Sequence, residues 1–127
     1  MDLQIDHVQV AAPEGCEHAA RQFFGELLEL NERPKVGAPS TRGGCWFHVG
    51  ALEIHIGVVP DFVPAEKAQV ALRLQTVGAL EALATRLEGA GHPVRWNDGL
   101  PGISRLFTTD PWGNRVELLA HKEPPHA

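Results

Sequence analysis

Cysteine is scarce: Cys16 and Cys45 are too few for a disulfide framework and are not spaced as C-x-x-C, so structural thiols are the plain reading. Long apolar runs are missing as well, since none approaches the roughly 20 residues that span a bilayer. The opening MDLQIDH has neither the basic nor the apolar region of a signal peptide. A cytoplasmic protein without membrane contact is therefore expected. Positive charge is in deficit, with eleven Lys plus Arg against sixteen Asp plus Glu and a net charge of −5. That is the wrong sign for a phosphate-backbone binder, so nucleic acid is not an expected partner. The composition that marks disorder is absent too: 43% apolar and 21% charged residues are ordinary globular values. A chain of 127 residues has room for one domain, not for two with separate cores.

What is present is a pattern that occurs twice. Residues 3 to 12, LQIDHVQVAA, alternate polar with apolar and β-branched residues and predict a strand with His7 at mid-length. From Cys16 apolar residues fall at helical spacing, predicting a helix to about Leu30. Gly25 within it costs on the order of 1 kcal/mol against alanine unless close packing needs the missing side chain. NERPKVGAPSTRGG reads as a short strand at most, then a loop. CWFHV and LEIHIGVV read as two strands joined by a type II′ turn at Gly50-Ala51. After the connector PDFVPAEK the order begins again: strand QVALRLQT, a helix from about Val77 to Ala90 stopped by Gly91 and Pro93, and strands in PVRWND, SRLFTTD and NRVELLAH. The expected fold is α+β, two β-α-β-β-β modules (about 3–59 and 66–120) in one domain over 1–121, forming a curved mixed sheet around a central cavity. Residues 122–127 read as a flexible tail.

Side chains alternate between the faces of a strand, and the apolar face must cover the helix. On that rule His7, Glu53, His55 and Glu117 point to the open face, as do Gln69, Ala71 and Arg73. His7 and Gln69 are 62 residues apart, and so are His55 and Glu117. The repeat would thus gather two imidazoles, an amide oxygen and a carboxylate, a mixed N/O set suited to Zn, Ni, Mn or Fe with positions left for substrate. Matching LEI to VEL instead pairs Glu53 with Glu117, which makes Glu53 the rival ligand on the fourth strand.

IDHVQVA, RQFFGELLEL, GGCWFHVG with LEIHIGV, and above all RLFTTDPWGNRVELL with its D-P-x-G-N-x-x-E segment, resemble the vicinal oxygen chelate superfamily over roughly residues 3 to 120. That superfamily groups glyoxalases, extradiol dioxygenases, fosfomycin-resistance enzymes and bleomycin-resistance proteins. The resemblance implies a metal held from the first, fifth and eighth strands, often with a fourth ligand from the fourth strand. His7 and Glu117 match two of these positions, whereas Gln69 stands where histidine is common. It also implies a homodimer.

Each candidate has a bland alternative. His7 could be a hydrogen-bonded core histidine, and Glu117 a partner for Arg115 or Arg73. His55 could line a pocket or bond to Glu53, and Gln69 could be an ordinary inward amide. His48 reads as pocket wall. Trp46, Trp96, Phe24 and Phe107 could line a cavity or belong to the core, and Trp112 reads as structural. Arg73 could bind an anionic group of a substrate or pair with Glu53 or Glu117. His18, His92, His121 and His126 read as solvated.

Two functions follow. One is a metal-dependent lyase or isomerase of the glyoxalase type, in which His7, Gln69, His55 and Glu117 hold the ion and Glu117 or Glu53 moves a proton. The ion would polarise vicinal oxygens of a small substrate lined by Trp46, His48, Glu53, Arg73 and Phe107. The other is a metal-free protein that sequesters a drug or metabolite, as bleomycin-resistance proteins do. This reading accommodates Gln69 directly, and its acidic balance favours a cationic ligand.

Overall fold

The computed structural model describes residues 1–35 and 42–123, so part of the NERPKVGAPSTRGG segment, His126 and most of the tail lie outside the described residues. Two compact units follow one another, Met1–Pro64 and Ala65–Ala127. In the first, β1 (His7–Ala12) leads into α1 (Glu17–Ala20), which continues as a π-helical segment over Arg21–Leu27. β2 (Glu32–Arg33), β3 (Cys45–Val49) and β4 (Leu52–Val58) complete it. The sheet order is β1-β4-β3-β2, with β1 parallel to β4 and the other pairs antiparallel. The second unit has β5 (Gln69–Arg73), α2 (Val77–Gly89), β6 (Arg95–Trp96), β7 (Ile103–Thr109) and β8 (Arg115–His121), in the order β5-β8-β7-β6. The expected α+β fold with its doubled β-α-β-β-β pattern is what the chain adopts.

Several boundaries differ from the sequence reading, each for a local reason. β1 starts at His7, not at Leu3, because its parallel partner offers nothing before Glu53 beyond one bond from Glu53 N–H to the Asp6 carbonyl. His7 therefore stands at the head of the strand. The first helix is α-helical for only one turn, and its π-helical part ends at Leu27 with Leu28 as C-cap, short of Leu30, with Glu29 at φ 58°. Its wider portion is held by an i to i+5 bond, Leu28 N–H to the Phe23 carbonyl at 3.0 Å. Consecutive Phe23 and Phe24 are both buried there, and Phe24 lies 5.7 Å from Phe47 between centroids, so Phe24 belongs to the core and not to a cavity wall. β5 stops at Arg73 because Thr76 becomes the N-cap of α2, its Oγ1 accepting from Ala79 N–H at 3.0 Å. β6 keeps only two of the residues in PVRWND.

The helix-facing sides of both sheets are apolar as alternation requires. Cys45, Phe47, Ile54 and Ile56 are buried in the first unit and Leu106, Val116, Leu118 and Ala120 in the second, together with Leu80, Leu83, Ala84 and Leu87 of α2. The hairpin between β3 and β4 has Gly50 at φ 58° and no positive φ at Ala51, the pattern of a type II′ turn. Among the described residues no helix is long and apolar enough to cross a membrane.

Both cysteines are free and buried. Burial pushes the Cys16 thiol up to about 11, with the Glu17 carboxylate adding to the shift, and burial also raises Cys45. The neutral thiol is thus the form the fold favours, a contribution present below the ordinary thiol value and lost as pH rises through about 11. Native protein at neutral pH is expected to react with a thiol reagent such as DTNB only as fast as it unfolds. Rapid labelling before denaturation would contradict this.

Candidate functional site

The helix-free face of each sheet carries the polar residues. In the first unit the register aligns Arg33, Trp46, His55 and Gln9 in one row across β2, β3, β4 and β1, and His48, Glu53 and His7 in the next. The rings form a stack. His7 and His55 lie 4.1 Å apart at 14°, His55 and Trp46 4.2 Å apart at 11°, and the Arg33 guanidinium caps Trp46 at 5.3 Å. Glu53 runs along the side of this stack. It meets His55 Nε2 at 2.8 Å and Arg33 Nε at 3.3 Å, with His48 Nδ1 at 4.0 Å. The His55 hydrogen bond, more than the Arg33 charge, holds the Glu53 carboxyl below its ordinary range. His7 Nδ1 lies 2.8 Å from Asp6 Oδ1, and this bond lowers the Asp6 carboxyl in the same way.

In the second unit Gln69 Nε2 donates to Glu117 Oε1 at 3.1 Å, and Arg105 Nη1 lies 3.8 Å from the same oxygen. Glu117 thus has Arg105 as its charged neighbour, not Arg115 or Arg73. Arg105 and Arg115 stand 5.4 and 5.2 Å from the Phe107 centroid. Asn97 Oδ1 accepts from Arg105 Nη2 at 3.2 Å, while Arg105 Nε is buried with no acceptor among the described residues, a loss worth roughly 1–3 kcal/mol for such a group. Arg73 is exposed at the end of β5 and makes no ion pair among the described residues. His18 and His121 are exposed as expected. His92 is not solvated: it is half-buried, with Nδ1 2.9 Å from the Thr109 carbonyl.

Register also decides which residues of the two units are equivalent. His7 opposes Glu53 in the first unit, and Gln69 opposes Arg115 in the second, so one offset of 62 maps both strands of each pair. His55, not Glu53, therefore stands at the position of Glu117. Sequence reasoning missed Asp6, Arg33 and Arg105, and it offers Arg115 only as an ion-pair partner for Glu117. The signal for the last two was available, because β7 and β8 alternation sends Arg105, Phe107, Arg115 and Glu117 to one face.

The donor atoms suit a metal ion in part. If His7 Nδ1–H donates to Asp6, the Nε2 lone pair is left for a ligand, the usual carboxylate–histidine arrangement. Gln69 uses its amide hydrogen on Glu117 Oε1, which leaves Gln69 Oε1 and Glu117 Oε2 as donors. His55 fits less well. Imidazole ligates through an in-plane lone pair, and nearly parallel stacked rings aim theirs in directions that do not converge. Among the described residues no three His, Cys, Asp or Glu side chains form a group able to hold a metal.

No protein-family model and no curated protein matches the chain. Solved structures do. A glyoxalase family protein from Bacillus anthracis is 41% identical, with a TM-score of 0.87 over 96% of this chain and 98% of that one. This chain belongs to the vicinal oxygen chelate superfamily. Other superfamily structures share its fold at low identity. The lactoylglutathione lyase from Agrobacterium tumefaciens aligns at 17% identity and a TM-score of 0.71, covering 92% of each chain. The fosfomycin resistance protein FosX from Listeria monocytogenes aligns at 14% and 0.77, covering 96% of each.

Proposed function

We propose that this vicinal oxygen chelate protein is a cytoplasmic, homodimeric lyase or isomerase of the glyoxalase type, using a divalent ion held by His7, Gln69 and Glu117. One observation carries the reading. The hydrogen bonds from His7 to Asp6 and from Gln69 to Glu117 orient these side chains, and among the described residues one ligating atom of each stays unengaged. His55 joins as a fourth ligand only by leaving its stack on Trp46. Zn, Ni, Mn or Fe suits such a nitrogen and oxygen set.

When bound, the ion supplies a Lewis acid to two neighbouring oxygens of a small substrate. The chain's own residues do the rest. Glu117 accepts and returns the substrate proton, or Glu53 does so if Glu117 stays bound. Gln69 keeps Glu117 in one orientation by donating from Nε2 to Glu117 Oε1. Trp46, His48 and Phe107 wall the substrate, with Arg73 at the margin.

The test is the metal content of protein purified without chelators, followed by titration of the stripped protein with Zn²⁺ or Mn²⁺. Stoichiometric binding that His7→Ala weakens and Gln69→His tightens is the expected result. Failure to bind any transition metal at micromolar affinity would overturn the reading, and an unchanged affinity in Gln69→His would remove Gln69 from the ligand set.

A second reading, a metal-free protein that sequesters a drug or metabolite, is favoured by one specific observation. Glu117 Oε1 already accepts from Gln69 and faces Arg105, so its charge is compensated without an ion. Under that reading the stripped protein binds its ligand as tightly as untreated protein does.

A further inference from the structure

We infer that the cleft beside Phe107 binds an anionic group, a carboxylate or a phosphonate, on a small molecule with an apolar body, and that this is the substrate class of the protein. Only the last step rests on the proposed function.

The cleft has a volume of about 430 Å³ and is lined by Pro93, Val94, Arg95, Phe107, Thr109 and Arg115, with Thr108 beneath. Small-molecule sites run from roughly 300 to 1,000 Å³, so one compact ligand fits. Its charge runs against the rest of the molecule. A chain of net charge −5 places two guanidiniums and, among the described residues, no carboxylate on the lining of this space.

The fold fixes where those cations stand. Arg95 pairs with Phe107 across β6 and β7, and Arg115 pairs with Thr109 across β7 and β8, so the two stand on the strands that flank the ring's own. Arg115 is held 5.2 Å from the ring centroid. Neither Arg95 nor Arg115 makes an ion pair among the described residues. Two unneutralised guanidiniums in a walled space attract an oxyanion and repel a cation. Their planar forks match the paired oxygens of a carboxylate or phosphonate. Phe107, Pro93 and Val94 offer apolar surface for the remainder of the ligand. Phe107 is also the register partner of Glu117, which puts a ligand anchored here beside the carboxylate assigned to proton transfer. The cationic ligand expected from overall charge is thus disfavoured at this cleft.

The experiment uses full-length protein stripped of metal with EDTA, titrated by calorimetry with benzoate, phenylphosphonate and, as the opposite charge, benzylamine. Saturable binding of at least one anion, weakened tenfold or more by Arg115→Gln and by Arg95→Gln, with no binding of the amine, is the expected result. The stronger anion identifies the group. Val94→Trp, which fills the cleft without touching charge, should abolish the same binding. No saturable anion binding, equal binding of the amine, or binding unchanged in Arg115→Gln would overturn the inference. Because metal is absent throughout, anion binding without metal affinity supports the cleft while refuting the metal reading, and metal affinity without anion binding does the reverse.

Discussion

Glu117→Ala is expected to lower the affinity for divalent ions by about 100-fold or more, measured by titrating stripped protein with Zn²⁺. Altering groups that merely orient a ligand typically costs about 10- to 100-fold, so removing the ligand itself belongs at or above the top of that range. The reason lies in charge. His7 and Gln69 are neutral donors, and Glu117 is the only anion in the set, so its loss leaves a divalent cation without compensation and with the Arg105 guanidinium nearby. Glu117→Gln keeps a hydrogen-bonding partner for Gln69 but not the charge, and should fail almost as badly. Glu53→Ala is the control. It releases His55 and Arg33 from their shared carboxylate while leaving the proposed ligands in place, so metal affinity should change little. Equal affinity in wild type and Glu117→Ala would take Glu117 out of the metal site.

Asp110→Ala should lower stability by roughly 3 kcal/mol and the melting temperature by about 10 °C, because it strands several buried donors at once. Asp110 is 3% exposed. Its Oδ1 accepts from Trp112 N–H at 3.0 Å and Asn114 N–H at 2.8 Å, and its Oδ2 accepts from Asn114 Nδ2 at 2.8 Å. These bonds shape the turn that delivers Arg115 and Glu117 to β8. Burial raises the Asp110 carboxyl above its ordinary value despite the donors. A raised carboxyl contributes stability that is fully present below its unfolded value and is lost as pH rises through the folded one. The gap in melting temperature between wild type and Asp110→Ala should therefore widen on acidification, as thermal scans across the carboxylate range would reveal. Asp110→Asn should lose less, since its oxygen can still accept from the two backbone N–H groups. A gap that narrows on acidification would show that the ionised form carries the turn.

The sequence made the face of each residue legible, because alternation is a strict two-residue period. His7, Glu53, His55 and Glu117 could be assigned to the open side from their neighbours alone. The segment DPWGN announced its turn through Asp, Pro, Gly and Asn, residue types that favour turns, though not the burial of Asp110 within it. What stayed hidden depended on partners remote in sequence. The start of β1 was set by where β4 begins, and LQID looks no less strand-like than HVQV. The π-helical turn was hidden because periodicity assumes 3.6 residues per turn, while Phe23 and Phe24 both demand the interior. Arg105 goes unnoticed in the sequence and Arg115 reads only as a partner for Glu117, because a lone arginine in a strand usually signals solvent or an ion pair. Only the register brings both of them to Phe107.

Each sheet ends, on one side, in a strand of two residues: Glu32–Arg33 in the first unit and Arg95–Trp96 in the second. A strand that short exposes few unpaired backbone donors and acceptors, and its charged side chains must be desolvated before a foreign chain can join. Along these two borders, growth into fibrils by edge-to-edge addition of further copies is thereby discouraged. The arginines that guard the borders against aggregation are the same residues that cap Trp46 and line the cleft at Phe107.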